Sequence, residues 1–253
     1  MQMKVNLDRT HIRNFLTLRY NPLQNTTRSL ANAKGFSTGN SDPDGKLVEK
    51  LLLASVNKLT KNKKDVITVS LSSGIDSSLC LALLRKQFPE QKIVSICGVF
   101  DEKQDESGRA KEIARKFNSD FKILRIPSLY TNMPELISMT KKPRWNTYTH
   151  FVANEAKKYG ALLVTGDGAD ELFAGYTFRY KKFLHLLKPD DTWLSKAKKY
   201  LECHNRDWVP NQKLLFDKSI KFNWKTIYSY LKPYFQNKMH PLNQVLLADY
   251  NGK

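Results

Sequence analysis

From residue 46 onward the apolar positions alternate between two patterns: short β-branched runs, and longer stretches in which apolar residues return every three or four positions. The second pattern predicts a helix over 46–59, with Leu47, Val48, Leu51, Leu52 and Val56 near one face and Asp42 or Asp44 placed to cap its start. VITVSL (66–71) reads as a buried strand, LCLALLRKQF (79–88) as a helix that stops before Pro89, and KIVSICGVF (92–100) as a second strand. GRAKEIARKF (108–117) predicts another helix, and FKILRI (121–126) a third strand ended by Pro127. The stretch that follows, carrying Pro134 and Pro143, reads as irregular; a helix near 147–159 then leads into ALLVT (161–165), a fourth strand. Strands alternating with helices predict an α/β fold, a parallel sheet with helices on both faces. Right-handed crossovers gather the loops after the strands on one edge, where ligands of such sheets bind.

The flanks differ. Residues 15–22, FLTLRYNP, are a mixed polar and aromatic segment ended by Pro22, and 25–45 are rich in Asn, Ser, Thr, Gly, Asp and Pro, which marks a linker. Beyond about Tyr176 the pattern is helical and aromatic, with no further strand and no internal repeat. The expected organisation is an N-terminal segment and linker over 1–45, an α/β domain over 46–180 and a helical C-terminal extension over 181–253.

Composition narrows this picture. Apolar residues make up 41% of the 253, ample for a buried core. No apolar run reaches the roughly 18 residues that span a bilayer, and the start, MQMKVNLDRT, lacks the apolar stretch of a secretory signal. Cys80, Cys97 and Cys203 form no CxxC pair, which argues against a zinc site or disulfide framework and fits the expectation of a reducing cytoplasm. The net charge of +18 favours a polyanionic partner, RNA, DNA or nucleotide phosphates. The lysines are spread along the chain rather than blocked together, so nucleic acid is a partner to weigh but not the favoured one.

Two turns carry the candidate chemistry. The first, Leu71-Ser72-Ser73-Gly74-Ile75-Asp76-Ser77-Ser78, lies between strand and helix. Small residues, successive amides and serine hydroxyls at a helix N-terminus suit an anion, and Asp76 among them calls for a cation between its carboxylate and a phosphate. A plain Ser/Asp helix cap is the alternative. The second, Thr165-Gly166-Asp167-Gly168-Ala169-Asp170-Glu171, sets three carboxylates among glycines just past the fourth strand. Their mutual repulsion suits a metal or an acid–base task, and an acidic helix start that complements the helix dipole is the alternative.

The first turn resembles the SGGxDS pyrophosphate loop of the ATP pyrophosphatase (PP-loop) superfamily, with Ser73 in place of the first glycine. TGDGADELFAGY (165–176) is similar to the SGEGxDELFGGY motif of the asparagine synthetase family, and GVFDEKQDESGRAKEIA (98–114) to that family's F…DES..A..IA segment. The likeness runs from about Leu47 to Tyr180 with the motifs in the family's order. It implies an adenine nucleotide alpha hydrolase-like fold and an AMP-forming carbon–nitrogen ligase that uses ATP and Mg2+ to activate a small carboxylate, aspartate or an analogue, for attack by ammonia or another amine.

By the same resemblance Ser72, Ser73, Gly74, Asp76 and Ser77 hold pyrophosphate, Asp76 and Asp170 bind magnesium, and Leu71, Val99, Thr165 and Gly166 border the nucleotide. Asp167 stands where the family has a glutamate that handles the proton of the attacking amine, and Arg144 matches a basic position near the acyl-adenylate. The family's usual N-terminal glutaminase nucleophile has no counterpart, since residue 2 is Gln2; the expectation is nitrogen from free ammonia, another amine or a separate glutaminase subunit. PLNQVLLADYNGK resembles the approach to the family's last active-site segment, and the chain stops there. Two other readings stand beside the ligase: a tRNA-modifying PP-loop ATPase, suggested by the charge, and a non-catalytic nucleotide-binding partner subunit.

Overall fold

A computed structural model describes residues 8–18, 20–23, 42–60, 66–100, 105–127, 129–140, 148–204, 216 and 218–251. In chain order the helices are α1 (Arg9–Leu18), α2 (Lys46–Thr60), α3 (Ile75–Gln87), α4 (Ser107–Lys116), α5 (Leu129–Thr140), α6 (Thr149–Ala156), α7 (Ala169–Phe173), α8 (Thr177–Leu186), α9 (Trp193–Cys203), α10 (Trp224–Phe235) and α11 (Pro241–Asn251). The strands are β1 (Ile67–Ser70), β2 (Ile93–Val99), β3 (Asp120–Arg125) and β4 (Leu162–Val164). The chain divides into two compact units, one of Ser41–Asp167, the other of Met1–Asn40 with Gly168–Lys253. Among the described residues no helix is long and apolar enough to cross a membrane.

In the first unit all strand pairs are parallel, in the order β3-β2-β1-β4. β2 shows why its sequence is almost wholly apolar. Ile93, Cys97 and Val99 pack with Ile67, Val69, Leu81 and Ala110 on one face, and Val94 and Ile96 pack with Val152 and Ala156 on the other. A strand covered by helices on both sides has no face to leave polar. The expected parallel sheet is therefore the observed one.

Three local differences have physical causes. α3 begins at Ile75 and so takes IDSS into its first turn, four residues before the apolar run starts; Asp76 there complements the positive end of the helix dipole. α5 runs through Pro134 in the stretch expected to be irregular; the proline removes one backbone donor, and the helix continues past it. In α2, Leu47 and Leu51 are 43% and 58% exposed, and Val56 is the residue that reaches the core. The inward stripe is Val48-Leu52-Val56, and one residue of offset on a helix is about 100° of rotation. Asp42, not Asp44, caps α2: its carboxylate accepts the N–H of Leu47 at 3.1 Å and of Val48 at 2.9 Å, whereas Asp44 pairs with Lys46 on the surface.

The second unit is helical. Asp8 caps α1 by accepting the N–H of His11 at 2.9 Å. Its core joins Tyr180 and Phe183 of α8, Tyr200 and Leu201 of α9, Ile227, Leu231 and Phe235 of α10 and Val245 of α11. Within this apolar setting lies Asp249, 2% exposed. Its Oδ2 accepts the Tyr180 hydroxyl at 3.2 Å, and its Oδ1 accepts the Tyr200 hydroxyl at 2.7 Å and faces His204 Nε2 at 3.2 Å. The Nδ1 of His204 donates to the Tyr200 carbonyl at 2.8 Å. Phe178 of α8 does not join this core and is 57% exposed.

Candidate active site

Leu71, buried beyond the end of β1, donates its N–H to the Ile96 carbonyl at 2.9 Å, and the chain then turns. The turn is held largely by its own serines. Ser72 N–H donates to Ser77 Oγ at 3.1 Å, the two hydroxyls meet at 3.0 Å, and Gly74 N–H donates to Ser72 Oγ at 3.1 Å. The hydroxyls of Ser77 and Ser78 donate back to the Gly74 carbonyl at 3.2 and 2.7 Å. Ser73 is tied elsewhere: its N–H, at 3.0 Å, and its hydroxyl both donate to the Glu106 carboxylate. Among the described residues the non-glycines in left-handed backbone are Asn118, Ala174 and Lys221. Ser73 is not among them, so serine replaces glycine there without backbone strain.

The loop after β4 comes directly against this turn. A Cβ on Gly166 would lie 3.0 Å from Asp76 Cβ and from Ser77 N. Glycine suits this close approach of Thr165-Gly166-Asp167 to the first turn of α3, since any side chain at 166 would make Asp76 or Ser77 give way. Beside it the Cys80 thiol donates to the Thr165 carbonyl at 3.6 Å, and Thr165 Oγ1 donates to Asp167 Oδ2 at 3.2 Å. Burial, then the carboxylates of Asp76 and Asp167, push the Cys80 thiol above its ordinary value. One thiol thus senses both motif aspartates. Cys80 stays protonated at neutral pH and offers no thiolate nucleophile.

Two aromatics stand at the same edge. Phe100, just past β2, meets Tyr148 edge to face with ring centroids 5.5 Å apart, and the Tyr148 phenol is raised by burial and then by Asp167. β1 is flanked by β2 on one side and β4 on the other, so the two loops meet at the sheet's switch point.

The unit boundary falls between Asp167 and Gly168, inside the second motif. Leu71, Ser72, Ser73, Gly74, Asp76, Ser77, Thr165, Gly166 and Asp167 gather at the ends of β1 and β4, with Val99 at the end of neighbouring β2. Asp170 belongs to the other unit, in the first turn of α7. Its carbonyl accepts the Gly175 N–H at 2.9 Å, and its carboxylate fills the space that a side chain at 175 would take. The Tyr176 hydroxyl donates to Glu171 at 2.8 Å. Ala174, where the family motif has glycine, closes α7 at φ 57° and ψ 40°. Arg144 lies outside the described residues.

Glu106, Phe100 and Tyr148 were not picked out from the sequence. Glu106 had a signal in the F…DES segment, but no spacing rule links a glutamate to a serine 33 positions away. Among the described residues no three or more His, Cys, Asp or Glu side chains form a metal-ligand cluster. Magnesium suits a sparser set, since it is commonly held by one or two carboxylates, substrate phosphate oxygens and water. Asp76, beside the serine turn and the Gly166 cradle, fits that donor set.

A parallel α/β unit with a serine-glycine turn after β1 packed against a glycine-aspartate turn after β4 defines an α/β protein whose two motif turns share one sheet edge. The family model described as asparagine synthase matches residues 47–251, and the chain belongs to that family. It is 30% identical over 165 residues to asparagine synthetase [glutamine-hydrolyzing] 1 of Bacillus subtilis (strain 168), an alignment covering 62% of this chain and 26% of that protein. Relatives from Mycobacterium bovis and Mycobacterium tuberculosis are 25% identical over 178 residues, covering 64% of this chain and again 26% of theirs. The chain thus spans about a quarter of the length of these curated relatives. Among solved structures, the NH3-dependent NAD synthetase of Campylobacter jejuni subsp. jejuni overlays loosely, with a TM-score of 0.37 and 14% identity over 71% of this chain and 90% of that one.

Proposed function

We propose that this chain is the synthetase part of an ATP-dependent, amide-forming ligase that activates a small carboxylate as its acyl-adenylate. The observation that carries the proposal is the approach of Gly166 to Asp76 and Ser77, which brings the serine turn and Asp167 to one sheet edge. Serine hydroxyls and first-turn amides of α3 would receive the β- and γ-phosphates, and the buried ends of β1 and β2 at Leu71 and Val99 would wall the adenosine. Asp76 would hold magnesium together with phosphate oxygens and water, and the ion's charge would offset that gathering on the departing pyrophosphate.

A carboxylate resists amines because oxide is a poor leaving group. Attack of a carboxylate oxygen on the α-phosphorus, with loss of pyrophosphate, turns that oxygen into part of AMP, a good leaving group. The amine lone pair then adds to the acyl carbon, AMP departs, and the proton released from nitrogen passes to Asp167. Holding both reactants at one edge removes much of the entropic cost of their encounter. Asp167 is exposed and its carboxylate accepts the neighbouring Thr165 hydroxyl, which leaves it accessible for proton transfer.

The test is pyrophosphate release from Mg-ATP with a panel of amino acids, aspartate first, in the presence of ammonia. Release that depends on one carboxylate is the expected result; none with any member would leave the chain a nucleotide-binding subunit. Asp76→Ala should lower release at least about 100-fold, as loss of a transition-state charge stabiliser does, with the circular dichroism spectrum unchanged. Retained release in that variant would refute the magnesium assignment.

A further inference from the structure

Glu106 stands immediately before α4 and is half-buried, and its carboxylate accepts both the N–H and the hydroxyl of Ser73. Among the described residues, the other side-chain bonds that shape the turn from Ser72 to Ser78 come from the turn's own serines and carbonyls. Glu106 therefore links the loop after β1 to the loop after β2, whose strands are neighbours in the sheet. It does so through a hydroxyl that glycine, the residue of the general loop pattern at this position, would lack.

A planar peptide fixed at its N–H also fixes the direction in which the following peptides leave. The peptides that follow are the first turn of α3, whose N–H groups have no partner inside the helix. We infer that Glu106 is a positioning residue: acting through Ser73, it sets the serine turn so that the amides of Ile75, Asp76 and Ser77 face a bound phosphate. It does not itself touch the nucleotide. The carboxylate's charge-assisted bonds to Ser73 are the strong kind, so they hold the turn before any ligand arrives.

This rests on the nucleotide reading above, and the experiment separates the two. Mg-ATP affinity is measured by calorimetry, without carboxylate substrate, for the unaltered chain, Glu106→Ala, Glu106→Gln, Ser73→Ala and the Ser73→Ala/Glu106→Ala double variant. Thermal unfolding is followed alongside. Glu106→Ala should bind about tenfold more weakly, and Ser73→Ala about threefold. Glu106→Gln, which keeps an acceptor for the Ser73 N–H, should recover to within about threefold of the unaltered chain. The double variant should be no weaker than Glu106→Ala alone, because both changes cut one linkage. Should Glu106→Ala fail to fold, Ser73→Ala carries the test, since it removes only the hydroxyl. Affinity unchanged in Ser73→Ala and Glu106→Ala, or no recovery in Glu106→Gln, would overturn this inference alone. No binding by the unaltered chain would overturn the nucleotide reading and the inference with it.

Discussion

The two ends of the parallel sheet are built on opposite principles. At the amino ends of the strands the joints are locked. Arg85, near the end of α3, donates to the carbonyls of Phe117 at 2.9 Å, Phe88 at 3.2 Å, Gln91 at 3.0 Å and Asn118 at 2.7 Å, and also to Pro89. Ser119 meets Ser95 at 2.7 Å and donates to the Ile93 carbonyl at 3.1 Å, closing the start of β2 against β3. Gly160 passes so near Val66 that its Cβ would sit 2.1 Å from that carbonyl oxygen. At the carboxyl ends many of the bonds run through serine hydroxyls, which can rotate and exchange partners when an anion enters.

That contrast can be broken from either side. The largest effect is expected at the locked end. Arg85→Ala removes one guanidinium from five carbonyls and should cost about 3 kcal/mol of unfolding free energy, read from urea denaturation; at temperatures where the variant is folded, Mg-ATP affinity should match the parent. Weakened affinity in folded Arg85→Ala would mean the two ends are not independent. At the open end, Gly166→Val pushes a branched side chain against Asp76 and Ser77 and should weaken Mg-ATP at least about tenfold, or 1.4 kcal/mol, while stability falls by less than in Arg85→Ala. Equal affinity for parent and Gly166→Val would remove the central support for a nucleotide at this edge. The smallest effect lies in the helical unit. Ala174 holds a left-handed conformation that costs a non-glycine residue about 1 kcal/mol, so Ala174→Gly should raise stability by about that amount. A lower melting temperature would show that the alanine methyl contributes packing that outweighs the strain.

Much of the sheet was legible because its signals are local. Each β-branched run is bounded by turn residues, and the strands were found to within about one residue at either end. The start of α3 was misplaced because Ser, Gly and Asp are equally at home in a turn and in a first helical turn. α5 was missed because Pro134 argues against a helix unless flanking residues outweigh the lost donor. In the candidate site, the residues that announce themselves by composition, Ser72 to Ser77 and Thr165 to Asp167, proved to be neighbours. Those that act across a gap in sequence did not show: Glu106 on Ser73, Tyr148 beside Phe100, Arg85 on Phe117 and Asn118. A linear pattern encodes period and turn chemistry, whereas pairings across separate elements appear only once the strands have been ordered.

The carboxylate of Asp249 has a consequence for how the helical unit assembles. It gathers two phenols and an imidazole from α8, from α9 and from the residue just after α9, inside a setting that is otherwise oil-like. A partial assembly that buries this group without all of its donors is worse off than one that leaves it in water. The helices are thereby steered away from approximate, sliding contacts, and the last one docks in a single rotational setting or not at all.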